Sequence, residues 1–160
     1  MNTAPSLLPP LACFVTWNTY GSWPQGDPRG WIRRGDPNRY GHDSAILAHC
    51  RARQRDPTVT LTDEQRVVVE DSIVRSCARR SWPMHGCCVR TQHAHLVVSA
   101  TMASQPLLIA LKGEATRALR ALWPEFDERR LWARRGYVVA LHTTRAVEQA
   151  IAYVHADHHR

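Results

Sequence analysis

The pattern of hydrophobic and polar positions predicts strands and helices in alternation along the chain. Short apolar runs rich in β-branched residues predict strands at residues 11–17, 84–90, 93–100, 131–133 and 137–141. Longer runs with apolar residues at helical spacing predict helices at 61–80, from 104 to about 123, and from 143 or 144 to about 157. At the start of the first helix, Thr62 and Gln65 have the three-residue spacing of a capping box.

With the short extended pieces at 131–133 and 137–141 counted as one strand, the order of these elements is strand, helix, strand, strand, helix, strand, helix. It is the order of a split β-α-β, ferredoxin-like α+β fold with an added C-terminal helix. We therefore expect an antiparallel sheet with helices on one face and its other face free for a ligand. A chain of 160 residues that is 44% hydrophobic is long enough for one core, so residues 1–160 are expected to form a single domain.

One long segment, at about residues 18–57, interrupts this pattern with many turn formers. It interleaves aromatic residues with arginines, and its candidate nucleic-acid contacts are Trp23, Arg29, Trp31, Arg33, Arg34 and Arg39. Aromatic rings can stack on bases and arginines can grip phosphates. The alternative is that the rings attach the loop to the domain and the arginines are only solvated.

The charge of the chain favours a nucleic-acid partner. The formal net charge is +7, and Lys112 is the only lysine among 21 cationic residues. Arginine pairs with phosphate through two hydrogen bonds and stacks on bases. Lys112, Arg117 and Arg120 lie outside the apolar stripe of the second helix and are further candidate contacts. The alternative is that all proteins of the source genome are rich in arginine. The arginines would then be scattered over the surface and would not mark a binding site.

Cysteine usage and hydropathy indicate the compartment. The five cysteines form an odd set without C-x-x-C spacing, which favours thiols in a reducing environment. No run approaches 18 consecutive apolar residues, and the first residues lack the pattern of a signal peptide. We expect a cytoplasmic protein without a membrane partner.

Two short patterns carry candidate chemistry. His93 and His95 flank Ala94 at the start of a predicted strand, so both imidazoles project from one face and can bind one divalent metal ion. In the last helix, Tyr153 and Asp157 lie one turn apart on the same side of the apolar stripe. A carboxylate beside two imidazoles would complete a metal site, and a phenol beside that metal is a candidate nucleophile.

Four stretches together, F-V-T-W, H-A-H-L-V-V, L-W-A-R-R-G-Y and A-I-A-Y-V-H-A-D, resemble the single-tyrosine HUH transposases. These are the transposases of small bacterial insertion sequences and the REP-associated tyrosine transposases. The resemblance implies Tyr153 as nucleophile and His93 and His95 as metal ligands. The family has Asn or Gln where this chain has Asp157, which leaves the choice of Mg²⁺ or Mn²⁺ open; His158 is a second candidate ligand.

The resemblance also implies a reaction and a partner. The enzyme would cut single-stranded DNA next to a hairpin, form a 5′-phosphotyrosine, and rejoin strands without ATP. Family members often form homodimers that exchange tyrosine helices, so Tyr153 could act on its own histidines or on those of a second copy. Tyr137 is the first substitute for the nucleophile.

Other functions are also compatible with these residues. A domesticated relative would keep the chemistry in a host role, and an inactive relative would bind hairpins or single strands without cutting them. An unrelated oxygenase or hydrolase could use a site of two histidines and one carboxylate.

Overall fold

The computed structural model describes residues 8–33 and 35–158, with only the helix backbone described at 157 and 158. The strands are β1 (Ala12–Asn18), β2 (Trp31–Ile32), β3 (Arg39–Tyr40), β4 (Met84–Val89), β5 (His93–Val98) and β6 (Tyr137–Leu141). The helices are α1 (Ser44–Ala52), α2 (Asp63–Arg79), α3 (Ser104–Leu122) and α4 (Thr144–His158). A short 3₁₀ turn, Pro124–Phe126, follows α3.

Four strands form the main sheet in the order β4-β5-β1-β6, with every neighbouring pair antiparallel. α2 connects β1 to β4, and α3 connects β5 to β6. This is the split β-α-β arrangement with an added C-terminal helix, as predicted. β1 lies between β5 and β6, so its residues touch both halves of the motif.

α2 and α3 cover one face of the sheet and form the main core. Val15 of β1, Leu96 of β5, Ile73 of α2 and Leu111 of α3 are all fully buried there. The capping box of α2 is present: Thr62 N donates to Gln65 Oε1 (3.0 Å) and Gln65 N donates to Thr62 Oγ1 (3.3 Å). Two backbone donors at the helix start are thereby satisfied.

α4 packs on the opposite face, against β4, β5 and β6. A smaller cluster lies between them and includes Cys88, Val97, Leu141 and Val154. The second face is therefore only partly free. Its remaining part, in front of β1 and the start of β5, forms a cleft.

The segment at 18–57 has more structure than predicted. It contains the β2-β3 ribbon and α1, whose N-cap Asp43 accepts a hydrogen bond from Ile46 N (2.9 Å). No residue of α1 is buried, and the sequence analysis, which treated this segment as a loop, did not predict the helix. The predicted strand at 131–133 contains only an isolated bridge between Thr19 and Trp132.

The five cysteines are free thiols, and Cys13, Cys77 and Cys88 are buried. Burial raises the pKa of Cys77 to about 11. Among the residues that the structure describes, no helix combines the length and apolar character needed to cross a bilayer.

The packing of α3 makes a prediction about stability. Leu111→Ala should lower the free energy of unfolding by about 2–5 kcal/mol, because it leaves a cavity between α3 and the sheet. The matched control is Ile109→Ala, two residues earlier on the same helix, where the side chain is 68% exposed. Ile109→Ala should change the unfolding free energy by no more than about 0.5 kcal/mol. Urea denaturation of both variants measures the difference; equal losses would contradict the assigned face of α3.

Candidate metal and tyrosine site

β5 places the two histidines on the face that carries α4. Its residues alternate, so Ala94 and Leu96 lie fully buried against the main core while His93 and His95 point to the other side. The two imidazole ring centroids are 5.2 Å apart. His95 is 2% exposed and His93 is half-buried. The predicted pair is thus brought together on one face.

β1 supplies the neighbouring side chains. Its register pairs Thr16 with His95 and Asn18 with His93. The ring of Phe14, two residues before Thr16 on β1, lies 6.0 Å from the ring of His95. Thr16 Oγ1 also donates to Ala94 O (3.2 Å), which ties the two strands together at the histidines.

α4 brings the tyrosine of the same chain to this face. Val154 is fully buried against the sheet, so the adjacent Tyr153 lies at the edge of the contact, 58% exposed. The Tyr153 ring centroid is 5.4 Å from that of His95. It also packs edge-on against Phe14 at 5.9 Å. The phenol and the imidazole pair therefore share one site.

These groups line an open cleft of about 550 Å³, called the histidine cleft below. Its wall includes Trp23 from the long segment and Gln149 from α4. Gln149 precedes Tyr153 by four residues, one helical turn, and so shares its side of α4. The sequence analysis did not identify Gln149, Thr16 or Asn18. The helical spacing to Tyr153 was a usable signal for Gln149, whereas the other two depend on the strand register.

The donor set fits a divalent cation in part. Two imidazoles at neighbouring positions on one face of a strand are suitable nitrogen ligands. Among the side chains described, no group of three His, Cys, Asp or Glu is placed to hold a metal ion. The side chains of Asp157 and His158, the predicted third ligands, lie outside the described residues. Asp157 itself is on α4, one turn after Tyr153.

The long segment holds Trp23 rigidly at the rim of the cleft. Trp23 Nε1 donates to Gly30 O (2.7 Å), and the guanidinium of Arg29 lies 4.8 Å from the centre of its ring. Arg29 is held in turn by Asp27, with Nε to Oδ1 at 2.7 Å and Nη2 to Oδ2 at 2.8 Å. These hydrogen bonds from Arg29 lower the pKa of the buried Asp27 carboxyl to about 2. Trp23 nevertheless keeps 45% of its surface exposed.

Trp31, the second aromatic residue of this segment that was predicted to contact nucleic acid, has a structural role. Trp31 is 6% exposed, stacks on Tyr40 at 4.8 Å, and donates from Nε1 to Gly41 O (2.8 Å). Arg33 lies over the Tyr40 ring at 5.4 Å. Arg39 donates to Arg29 O from the neighbouring strand. Arg34 lies outside the described residues.

The three candidate cations on α3 do not join this site, because α3 packs on the other face of the sheet. Lys112 Nζ donates to Ala133 O and Arg135 O, both at 2.9 Å. Burial lowers the pKa of Lys112 to about 8. The remaining two also have partners within the protein: Arg117 pairs with Glu114 (2.9 Å) and Arg120 donates to Phe126 O (3.0 Å).

Residues 45–157 match the family of IS200-like transposases. This range includes both histidines and Tyr153. No curated protein matches the sequence of this chain significantly.

Two of the solved structures that share this fold match nearly the whole chain. One is a candidate transposase from Deinococcus radiodurans R1, with 16% identity, a TM-score of 0.53, and coverage of 99% of this chain and 98% of its own. The other is a REP-associated tyrosine transposase bound to a REP hairpin, with 12% identity, a TM-score of 0.55, and coverage of 98% of this chain and 72% of its own. At these identities the likeness concerns the fold.

The ion pair behind Trp23 predicts a pH-dependent contribution to stability. The pKa of Asp27 is about 2 in the folded protein and near 4 when unfolded, so its carboxylate favours folding above about pH 4. Asp27→Asn should lower the free energy of unfolding by about 1 kcal/mol at pH 7, since Arg29 is half-exposed and the pair is screened. The loss should shrink as the pH falls from about 4 to about 2.

Urea denaturation across this pH range measures the difference from the parent protein. The control is Asp71→Asn, an exposed carboxylate on α2. A loss for Asp27→Asn that stayed constant down to pH 2 would mean that the pair does not stabilise the fold through its charge.

Proposed function

The chain belongs to the family of IS200-like transposases, and we propose that it cuts and rejoins single-stranded DNA through a covalent bond to Tyr153. The observation that carries this proposal is the position of the Tyr153 ring, 5.4 Å from His95 in the cleft that also contains His93. A nucleophile and a metal-binding pair in one open cleft are the groups that phosphodiester transfer requires.

The proposed reaction is a transesterification at one phosphate of the DNA backbone. The Tyr153 oxygen attacks phosphorus, the bond from phosphorus to the 3′ oxygen breaks, and the phenol proton passes to solvent. The products are a 5′-phosphotyrosine and a free 3′-hydroxyl, which gains a proton. Because the new bond is also a phosphodiester, another 3′-hydroxyl can reverse the step and join strands.

His93 and His95 would hold a Mg²⁺ or Mn²⁺ ion, with Asp157 as the proposed third ligand. When bound, such an ion polarises a phosphate oxygen and stabilises charge on the leaving oxygen. Asn18 lies beside His93 in register and would orient the phosphate by donating a hydrogen bond from its side-chain amide. The half-buried His93 is the more accessible of the pair, so the strand would approach from its side.

The arrangement favours action within one chain. Tyr153 contacts both His95 and Phe14 of its own chain, so exchange of α4 between two copies is not needed to complete the site. We propose that a hairpin with a single-stranded flank is the substrate. The support for this is the family and the REP hairpin held by one of the structures with this fold.

A second candidate function is hairpin binding without cleavage. It is favoured by one observation: the described side chains include no group of three His, Cys, Asp or Glu that could hold a metal ion. The two functions differ in whether DNA becomes covalently attached in the presence of Mn²⁺.

The nucleophile can be tested by one substitution. Tyr153→Phe should abolish the covalent adduct and keep DNA affinity, because only the attacking oxygen is lost. The measurement is a denaturing gel of protein mixed with Mn²⁺ and labelled hairpin oligonucleotides with single-stranded flanks. Tyr40→Phe is the control, since its ring remains stacked on Trp31. An undiminished adduct in Tyr153→Phe would place the nucleophile elsewhere, with Tyr137 tested next.

The third ligand can be tested by titration with Mn²⁺. Asp157→Ala should raise the Mn²⁺ concentration needed for half-maximal adduct on the order of tenfold or more, because an oxygen ligand is lost. Asp157→Asn should restore most of the affinity, since the amide oxygen can still coordinate. If Asp157→Ala leaves the Mn²⁺ concentration for half-maximal adduct unchanged, Asp157 is not the third ligand. A raised Mn²⁺ concentration in His158→Ala or in Gln149→Ala would then assign the ligand to the residue that was replaced.

A further inference from the structure

A second cleft, of about 410 Å³, opens beside the histidine cleft. It is formed by β1, the segment at 23–39 and the turn that leads into β6. Thr16, Asn18 and Trp23 line both clefts, so the two are continuous. Its volume lies within the range of sites that bind small molecules or single building blocks of a polymer.

Two aromatic rings with exposed surface form its walls. Trp23 is 45% exposed and Tyr137 is 54% exposed. Tyr137 pairs with Thr16 on β1, and Thr16 pairs with His95, so Tyr137 lies two strands from the histidines on the same face. Trp23 is held in place by its hydrogen bond to Gly30 O and by Arg29. A ring that is fixed before binding loses little entropy when a ligand stacks on it.

Two glycines line the floor of this cleft at points where the backbone approaches its neighbours closely. A Cβ at Gly136 would lie 2.7 Å from Thr16 O and 2.9 Å from Leu108 Cδ2, so no larger residue fits there without displacing β1 or α3. Gly30 has a positive φ of +86°, and a Cβ there would lie 2.6 Å from Arg39 Nε. The buried Trp31 completes the floor.

The polar groups around the cleft suit a nucleotide. Arg39 and Arg135 supply positive charge, and Asn18 and Gln25 supply amides that can donate and accept hydrogen bonds. None of the described residues that line the cleft is acidic. Stacking surfaces combined with amide groups and arginines are the features by which proteins bind unpaired bases.

We propose that this second cleft is a base cleft, which takes one unpaired nucleobase of the DNA strand whose phosphate lies at the histidines. The base stacks on Trp23, Tyr137 forms a further aromatic wall, and the amides contact the base edge. This inference rests on the proposed function, since it assumes that single-stranded DNA is the ligand. It assigns to Trp23 a role in positioning the strand next to the scissile phosphate.

The test uses binding without chemistry. In a Tyr153→Phe background with EDTA, the probe is a short oligothymidine that carries a single 2-aminopurine, whose fluorescence falls when it stacks on an indole. Trp23→Ala should raise the Kd about tenfold and abolish the quenching, because one base-aromatic stack is lost. Trp23→Phe should keep most of the affinity. Ile109→Ala, on the opposite face of the sheet, should behave as the parent protein.

Tyr137→Ala gives a second, independent measurement, since it removes the other wall without touching the hydrogen bond of Trp23 to Gly30. It should also weaken binding severalfold while the thermal unfolding midpoint stays unchanged. The inference is overturned if Trp23→Ala and Tyr137→Ala, folded as judged by circular dichroism, keep the parent Kd and the parent quenching.

The covalent adduct separates this inference from the proposed function. One outcome is that Trp23→Ala, in a protein that retains Tyr153, forms the adduct at the same DNA concentration as the parent protein. The base cleft is then wrong and the endonuclease assignment stands. If no variant forms an adduct with any hairpin probe while Trp23→Ala still loses binding, the base cleft stands and the cleavage reaction is wrong.

Discussion

The register of β5 against the central strand β1 is the constraint on which the site depends. In the observed pairing, Thr16 faces His95, while Ala94 and Leu96 point into the core under α2 and α3. A slip of one residue would exchange the two faces and drive both imidazoles into that core. The burial of Ala94 and Leu96 therefore fixes where the histidines lie, so the packing that stabilises the sheet also positions the chemistry.

α4 adds a second constraint, because one helix both covers the sheet and presents the tyrosine. Val154 is buried against Val97 and Cys88, and helical geometry then turns the adjacent Tyr153 towards the cleft. The same packing leaves His95 almost inaccessible while Tyr153 remains exposed. Under the proposed function, an ion and a DNA strand would therefore reach the pair from the side of His93, along the open end of β1.

The parts of the fold that depend on local periodicity could be predicted from the sequence. The helical stripe and capping box of α2, and the common face of His93 and His95, follow from spacings of a few residues. The positions of Thr16 and Asn18 in the cleft could not, because they depend on a strand register across long sequence separations. α1 was missed because it has only nine residues and lies within a segment dense in turn formers. The three cationic residues of α3 were predicted as DNA contacts because they lie outside its apolar stripe. The sequence does not show which face of the sheet α3 covers, and α3 lies on the face opposite the histidines.

Composition alone overstates how much charge is available to nucleic acid. Arg29 is occupied by Asp27 and Arg120 by a backbone carbonyl, so these guanidinium groups organise the protein itself. Other arginines line a cleft beside Trp23. This cleft has a volume of about 760 Å³, and its walls include Arg53, Arg130 and Arg134. Trp23 lines this cleft, the histidine cleft and the second cleft alike. A strand crossing that point would meet cations, a stacking surface and the imidazole pair in succession, which is a more specific basis for DNA binding than net charge.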